Sequence, residues 1–412
     1  MNSTCRQSIR IARVYALCFA IFGFVAFVAA AGAQAQARSP EVLKAMRIAA
    51  MKAILVDAVA TLGIPEDMGG MSILVRTPGG DFFASTLPDA TPSHHFRAAS
   101  VTKTTTAAAI MLLEQRGLLR LDDPVTAPIP RLGIPYLPDT PEYDVPHKSS
   151  ITIRQLLQHR AGVFDLGNDP VPADANAPYA GQAYIEWKIS GNPAHSFTID
   201  ELVGVVARLG LSYGPPPAPY HYTNTGYSML GKIIERVSGK RLDEFLHEEF
   251  TRPLHLGQTY FVVSGEDRML HEPYLKGYSS AQGEYAETTE DNASYAHAEG
   301  NMVTTLSDLA TWIRALMRGE AGVSPENAAR MREVLPLREG AASGYGLGIG
   351  DNPKALGFGH DGGIMGYLTV ARHDPETDYT TAMVVTHLKF DDLYGLQTAT
   401  YRAALAIREL FR

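Results

Sequence analysis

The sequence is nearly without cysteine and has no excess of basic residues. Both of its cysteines, Cys5 and Cys18, lie in the first 35 of 412 residues. Cys18 follows Leu17, where a lipidation motif needs a small residue, so lipidation is not expected. Without that segment the chain can form no disulfide, no thiolate nucleophile and no cysteine metal site. The formal charge of −8 also excludes the basic surface of a nucleic-acid-binding protein.

The first 35 residues have the pattern of a secretory signal peptide. Arg6, Arg10 and Arg13 precede an uncharged stretch from Val14 to Ala35, which ends in small residues at the spacing that signal peptidase reads. An uncleaved anchor is the alternative, because the uncharged stretch is long enough to span a bilayer. We expect cleavage and an exported protein, periplasmic or extracellular, that meets a membrane only if this segment is retained.

The rest of the chain has strand patterns near both ends and helical patterns between and beside them. Helical periodicity occurs in residues 41–62, 100–116, 152–162, 226–237, 307–316 and 393–410. Strand patterns occur in a hairpin over 71–86 and in the C-terminal stretches 344–350, 357–374 and 379–387. A serine, Ser307, is the predicted cap of the fifth helix.

This order indicates an α+β fold of the α/β-sandwich type. One antiparallel sheet is expected to be flanked by helices and to carry an inserted α-helical subdomain. We predict a single catalytic domain over residues 40–412. Its sheet region is about 40–105 plus 300–412, and its helical, loop-rich region is about 106–299.

Ser100 and Lys103 stand three residues apart at the start of a predicted helix. No other lysine of the chain has a serine at that spacing. Residues at i and i+3 share a helix face, and a helix N-terminus stabilises an alkoxide or oxyanion. A lysine on an apolar helix is costly unless its charge is paired or removed. Two interpretations stay open: Lys103 faces water, or the pair was placed together for catalysis.

Two further motifs combine polar side chains with a loop or strand. Tyr222 and Asn224 flank Thr223 just ahead of a predicted helix, where the simpler reading is an N-cap. His360 opens a strand rich in glycine, and Gly362 follows it two residues later. Glycines within a strand permit another backbone or a ligand to approach closely.

A second serine motif is excluded by its surroundings. Gly210–Gly214 reads G-x-S-x-G around Ser212, but that motif needs a strand before it and a helix after it. A predicted helix precedes it here, and the three prolines at 215–217 prevent a helix from following. The histidines form no His-Glu-x-x-His motif, so neither a metal nor another cofactor is predicted.

Together the motifs resemble the serine β-lactamase and penicillin-binding protein superfamily, in its branch of class C β-lactamases and D-Ala-D-Ala carboxypeptidases. The residues that carry the resemblance are Ser100-x-x-Lys103, Tyr222-x-Asn224 and His360-x-Gly362, in that order. The resemblance implies a β-lactamase/transpeptidase-like fold, with the site in the cleft between the sheet and the helical region. It covers nearly the whole chain after the signal segment, roughly residues 65–390.

The resemblance also implies a role for each motif residue. Ser100 would be the nucleophile that forms an acyl-enzyme, and Lys103 and Tyr222 would share the proton transfers. Which of those two is the base stays open, because lysine and tyrosine titrate in the same range. The substrate-binding and oxyanion positions implied by the resemblance are Asn224, His360, Gly362 and Gly363.

Asp361 departs from the pattern of the superfamily. That position usually holds a threonine or serine that contacts the carboxylate of the substrate, and an anion facing it would repel that carboxylate. No arginine stands between Gly344 and His360 to serve as an anchor instead. Asp361 facing away from the cleft is the alternative.

The expected function is that of an exported serine hydrolase of D-amino-acid peptides or β-lactams, like D-Ala-D-Ala carboxypeptidases and β-lactamases. Its partner would be a small-molecule or peptide substrate. Three alternatives stay open: an esterase or amidase of the same fold, a penicillin-binding acyl trap or wall sensor without turnover, and an envelope scaffold without chemistry.

Overall fold

The structure, a computed structural model, describes residues 39–351 and 354–412. The predicted signal peptide and both cysteines lie outside these residues. Residues 48–412 pack as one compact unit, which contains the sheet and the candidate site. Within the part of the chain that the structure describes, no helix is both long and apolar enough to cross a membrane.

The helices and strands are numbered in chain order. The α-helices of the described residues are α1 (Pro40–Leu62), α2 (Thr102–Gln115), α3 (Ile153–Leu157), α4 (Tyr184–Gly191), α5 (Ile199–Leu209), α6 (Asn224–Ser238), α7 (Leu242–Leu246), α8 (His297–Gly300), α9 (Leu306–Arg318), α10 (Pro325–Met331) and α11 (Leu393–Glu409). The strands are β1 (Met71–Thr77), β2 (Gly80–Ser85), β3 (Phe96–Arg97), β4 (Tyr260–Phe261), β5 (Tyr278–Ala281), β6 (Glu284–Glu287), β7 (Met302–Thr304), β8 (Leu335–Pro336), β9 (Gly344–Tyr345), β10 (Phe358–Ile364), β11 (Tyr367–Asp374), β12 (Tyr379–Val385) and β13 (His387–Lys389).

The main sheet has five antiparallel strands in the order β10-β11-β12-β1-β2. Its centre joins the two ends of the chain, since β1 pairs with β12 and Ile73 lies opposite Met383. The hairpin predicted over 71–86 is present as β1–β2. Residues 357–374, which the pattern gave as one strand, instead form two strands, the hairpin β10–β11. The predicted α+β class is confirmed. The helical residues between β2 and β10 are inserted between strands of one sheet.

Each face of the sheet packs into a different core, which follows from the alternation of side chains along a strand. In β1, Leu74 belongs to the core that contains α2 and α9, whereas Ile73 and Val75 belong to the core that contains α11. The sheet is therefore a middle layer between helices. Strand β10 is its edge, so one side of that strand remains available to form a cleft.

Helix α2 is buried on all sides over its first twelve residues, which explains its unusual run of threonines. A buried hydroxyl needs a hydrogen-bond partner. Thr102, Thr104 and Thr105 each donate to the carbonyl three residues earlier, at 2.7 Å. Thr106 donates to the Ala298 carbonyl at 2.6 Å. The hydroxyls are thus satisfied locally, and the small side chains leave space for tight packing.

Several details of the sequence prediction are wrong. The helix predicted over 152–162 is only Ile153–Leu157. Residues 344–350 form only the two-residue strand β9 and isolated bridges, because their glycines curl the chain back on itself, with Tyr345 bridging to Gly350. The N-cap of α9 is Thr305, not Ser307: its hydroxyl accepts from the Asp308 backbone N–H at 3.2 Å. Ser307 already lies within the first turn of that helix.

Candidate active site

Ser100 lies in a short 3-10 turn, Ala99–Val101, that leads directly into α2. The first N–H groups of such a turn have no carbonyl partner within the helix. Ala99 has a φ of 52°, which is left-handed and strained for a residue with a side chain. The chain therefore holds Ser100 in a fixed, unusual turn at the floor of the cleft.

Lys103 is fully buried, one turn along the same helix. Its ammonium group contacts three acceptors: the Ser100 hydroxyl at 3.2 Å, Asn224 Oδ1 at 2.6 Å and the Glu299 backbone carbonyl at 3.0 Å. Burial lowers the pKa of Lys103 to about 8, although the charges of Glu299 and Asp165 act in the opposite direction. Lys103 does not face water.

Tyr222 and Asn224 stand on either side of the residue that caps helix α6. Thr223 accepts from the Gly226 N–H at 3.3 Å, so the capping interpretation is correct for Thr223 itself. Its neighbours are directed into the site. The Tyr222 hydroxyl is hydrogen-bonded to Ser100, and the Lys103 ammonium lies 4.8 Å from the centre of the Tyr222 ring. Burial raises the pKa of Tyr222 well above its usual value, so this phenol is protonated at neutral pH.

His360 closes the site from the edge strand β10. Its Nε2 atom is hydrogen-bonded to the Tyr345 hydroxyl at 2.9 Å, and its ring centre lies 6.3 Å from that of Tyr222. Burial, reinforced by the charge of Lys103, lowers the pKa of His360 to about 3. The imidazole is therefore neutral, and it fixes the rings around the site without adding charge.

Gly362 packs directly against the turn that carries Ser100. A Cβ atom at this position would lie 2.5 Å from the Ala98 carbonyl oxygen and 2.6 Å from the Ser100 nitrogen. Both atoms belong to the backbone and cannot turn aside. Strand β10 and the nucleophile turn can therefore approach each other only because residue 362 has no side chain.

Gly363 presents its N–H at the free edge of the sheet. Gly359 exchanges backbone hydrogen bonds with Gly350, at 2.7 and 3.0 Å, on the side of β10 that faces away from β11. Backbone direction alternates along a strand, so Gly363 shares the outward direction of Gly359. Its N–H is directed toward the cleft, as an oxyanion donor requires.

Replacing Gly362 by alanine is expected to lower kcat/KM by about a hundredfold, the scale of a 1 Å misplacement of catalytic groups. The added Cβ would displace the Ser100 turn and would lower the free energy of unfolding by about 1–3 kcal/mol. Steady-state kinetics and thermal unfolding measure the two effects. Gly363→Ala is the control for stability, because the nearest atom to its Cβ would be Leu388 Cδ1 at 3.6 Å. Equal melting temperatures for the two variants would contradict the steric explanation.

Asp361 does not stand free in the cleft. Its Oδ1 atom accepts from Arg372 Nη2 at 2.9 Å, and its Oδ2 atom accepts from the Tyr401 hydroxyl and, at 3.4 Å, from Gln397. The position of this side chain was open from the sequence. The structure places it on the α11 side of β10, across the strand from His360, with its charge paired.

Several residues of the site carry no motif and were not found from the sequence. Glu299 is buried beside Lys103, accepts from the Ser228 hydroxyl at 2.6 Å, and has a pKa raised by burial to about 7. Asp165, also buried, accepts from the Asn224 backbone N–H at 3.0 Å. The only available signal was an acid inside an otherwise apolar stretch, and such a signal cannot be told from a surface acid.

His159 is a further buried residue that orders the site. Its ring centre lies 4.3 Å from that of Tyr222 and 4.8 Å from that of Tyr345. Its Nδ1 atom accepts from the Thr223 N–H at 3.1 Å, which places the proton on Nε2 and makes the ring neutral. Burial and the charge of Lys103 lower its pKa well below the usual value. His159 thus packs against the Tyr222 ring and holds it in position, and as a neutral ring it does not compete for the phenol proton.

These groups surround a cavity of about 500 Å³. The predicted site residues that line it are Ser100, Tyr222, Asn224, His360, Gly362 and Gly363. Lys103 lies beneath Ser100. The structure therefore brings all seven predicted residues together, although 122 and 138 residues separate the motifs. Such a cleft, with a serine held against a buried lysine, can carry out acyl transfer.

Ser212, by contrast, has a structural environment. Its hydroxyl donates to the Gly162 carbonyl and accepts from the Gly214 N–H, both at 3.0 Å. Helix α5, not a strand, precedes it. This serine closes a loop and does not line the cavity.

The fold and the arrangement of Ser100, Lys103 and Tyr222 are those of the β-lactamase and penicillin-binding protein fold, a fold of serine hydrolases. The chain belongs to the beta-lactamase family, whose model matches residues 56–405. It is 27% identical over 289 residues to penicillin-binding protein 4* of Bacillus subtilis, an alignment that covers 67% of this chain and 57% of that protein. It is 26% identical over 341 residues to esterase EstB of Burkholderia gladioli, with coverage of 76% and 82%.

A solved structure supports the same fold. The D-stereospecific amidohydrolase from a Streptomyces species superposes with a TM-score of 0.69 and 24% identity, covering 85% of this chain and 98% of that one. At this level of identity the match concerns the fold alone. It confirms the β-lactamase/transpeptidase-like architecture that the motifs imply.

Proposed function

We propose that the protein is an exported serine hydrolase that cleaves amide bonds in small D-amino-acid derivatives through an acyl-enzyme on Ser100. The observation that carries this proposal is the contact between the Ser100 hydroxyl and the buried Lys103 at the floor of an open cleft. Peptides and β-lactams with a D-amino-acid-like acyl group belong to the same chemical class. Export rests on the signal-peptide pattern of residues 1–35.

Lys103 is the group best suited to accept the proton of Ser100. Its pKa of about 8 is the nearest to neutrality among the groups that touch the hydroxyl, because the Tyr222 phenol is held protonated. Asn224 and Glu299 accept two of the lysine N–H groups. In the neutral amine the remaining lone pair is then directed at Ser100.

Acylation and deacylation follow from this arrangement. Ser100 Oγ bonds to the substrate carbonyl carbon as its proton passes to Lys103, and the backbone N–H groups of Ser100 and Gly363 stabilise the oxyanion. The carbon–nitrogen bond then breaks, and the leaving amine takes a proton from the Tyr222 hydroxyl, which is replenished from Lys103. A water molecule reverses these steps and releases the acid.

The charges in the cleft favour a substrate that is neutral beside the scissile bond. Arg372 is the only lysine or arginine among the described residues that line the cavity, and Asp361 already pairs with it. A free C-terminal carboxylate therefore has no unpaired cation to bind. This supports an amidase over a D-Ala-D-Ala carboxypeptidase.

Ester hydrolysis is the second candidate. The alignment with esterase EstB covers 82% of that enzyme, whereas the alignment with penicillin-binding protein 4* covers 57% of that protein. An ester places the same demands on Ser100 and Lys103 but has a leaving group that needs less help from an acid. The order of rates between an amide and its matched ester separates the two activities.

The decisive experiment combines turnover with intact mass. The mature protein is expected to hydrolyse D-alanine p-nitroanilide faster than its L isomer, because the proposal assigns the acyl pocket to D residues. A penicillin carries a free carboxylate beside its scissile amide, so brief exposure is expected to give at most a small fraction of adduct, which decays within minutes to hours. A permanent adduct without turnover would identify an acyl trap instead. The proposal would be refuted, and a scaffold favoured, if the protein showed no turnover, formed no adduct and was not labelled by a fluorophosphonate.

A further inference from the structure

One buried ion pair lies in the wall of the cleft, close to the catalytic cluster. Arg372 Nη2 donates to Asp361 Oδ1 at 2.9 Å, with 3% of the arginine side chain and 18% of the aspartate side chain exposed. The arginine also donates to the Tyr401 hydroxyl at 2.9 Å and to the Gly350 carbonyl. Asp361 is thus the more accessible partner, and both residues line the cavity that contains Ser100.

Two glycines, which have no side chains, lie next to this ion pair. Arg372 lies opposite Gly359 in the β10–β11 register, and a Cβ on Gly350 would come within 3.7 Å of Arg372 Nη1. Both glycines and both charged residues line the same cavity as Ser100. The two glycines add no side chain beside the guanidinium, and Asp361 is the carboxylate that pairs with it.

We propose that Asp361 determines specificity by occupying Arg372, so that the cleft rejects ligands with a free carboxylate and accepts neutral amides. This inference deepens the proposed function and rests on it. A carboxylate that enters the cleft has to compete with one attached to the adjacent strand, whose effective concentration is far higher. It also meets the residual negative charge of Asp361 at the cleft surface.

A purely structural ion pair makes a different prediction. If the pair only joined β10, β11 and α11, removing the aspartate would lower stability and would weaken all ligands alike. A specificity role requires that the two ligand classes respond in opposite directions. The readout is therefore the ratio of two affinities, which a general loss of stability does not change.

The test uses equilibrium binding, so that it does not depend on turnover. In a Ser100→Ala background, isothermal titration calorimetry compares N-acetyl-D-alanine with its amide, which differ only at the terminal group. With Asp361 present, the amide is expected to bind more tightly. Asp361→Ser removes the charge and opens space beside Arg372, and it is expected to shift the affinity ratio toward the carboxylate by about tenfold, the effect of one charge-assisted hydrogen bond.

Two further variants separate charge from shape. Asp361→Asn keeps the acceptor for Arg372 and Tyr401, preserves packing, and is expected to shift the ratio in the same direction by a smaller factor. The double variant Asp361→Ser/Arg372→Gln removes both charges and is expected to lose the shift. Thermal unfolding verifies that each variant is folded, and Asp361→Asn carries the test if the serine variant is not.

Three results would overturn the inference: a wild-type cleft that prefers the carboxylate, an unchanged ratio in both single variants, or no binding of either compound to any variant. Failure of the proposed function is seen separately, as absence of Ser100-dependent hydrolysis of D-alanine p-nitroanilide by the protein with Ser100 intact. If the protein hydrolyses the substrate but the ratio of carboxylate to amide affinity is unchanged in the variants, the hydrolase assignment holds and Asp361 does not determine specificity.

Discussion

A Ser100→Ala variant is expected to lose at least about a thousandfold in kcat/KM on any substrate that the wild type hydrolyses. Among the described residues, the Ser100 hydroxyl is the one hydroxyl bonded to Lys103, and its removal leaves the rest of the site intact. Burst-corrected steady-state kinetics on D-alanine p-nitroanilide measure the loss. The variant should also form no adduct with a penicillin or a fluorophosphonate.

Ser212→Ala is the matched control for this experiment. Ser212 stands in a serine motif of its own, yet its hydroxyl bonds only to the backbone of Gly162 and Gly214. Its replacement is expected to cost about 1 kcal/mol of stability and to leave kcat/KM unchanged. Full activity of Ser100→Ala, or loss of labelling in Ser212→Ala, would show that the wrong serine has been assigned.

A steep dependence of activity on pH is the second large effect expected. Lys103 must lose its proton to act as the base, and burial has lowered its pKa to about 8. Below that midpoint kcat/KM should rise about tenfold per pH unit, and above it the rate should level off. His360 and Tyr222 do not titrate in this range, since the pKa of His360 is lowered to about 3 and that of Tyr222 is raised. Glu299, whose pKa is raised to about 7, does titrate near Lys103.

Glu299 sets the position of this midpoint. Its negative charge stabilises the ammonium form of Lys103 and so raises the lysine pKa, while Lys103 lowers the pKa of Glu299 in return. Glu299→Gln removes that charge, and the midpoint of the kcat/KM profile is expected to move to lower pH. The two groups titrate as a pair, so the measured midpoint belongs to both.

Ser228→Ala provides a graded comparison. The Ser228 hydroxyl donates to Glu299 Oε2 at 2.6 Å and lowers the pKa of that carboxyl. Without this donor Glu299 carries less negative charge, so the midpoint should move in the same direction as in Glu299→Gln but by less. A midpoint that stays in place or rises in both variants would exclude Lys103 as the group that titrates.

The sequence anticipated the fold well where local signals and global packing agree. Helix α11 was predicted over 393–410 and spans Leu393–Glu409, and the hairpin over 71–86 is β1–β2. The prediction of a strand over 344–350 is wrong because an alternating pattern rich in glycine is compatible with both a strand and a loop. The predicted N-cap of α9 is wrong because threonine and serine are both good N-cap residues. Only the geometry of the turn selects Thr305 over Ser307.

Sequence motifs alone brought out seven residues that line or underlie the cavity, because three short motifs in a fixed order mark a serine, a lysine and an edge strand. The protonation states of Lys103 and Glu299 depend on the tertiary structure. Burial at the junction of α2, α6 and α8 lowers the pKa of Lys103 and raises that of Glu299, and no local pattern encodes the depth of a side chain. The pairing of Asp361 with Arg372 likewise arises only when β10 and β11 lie side by side, since strand register brings together residues that the chain separates.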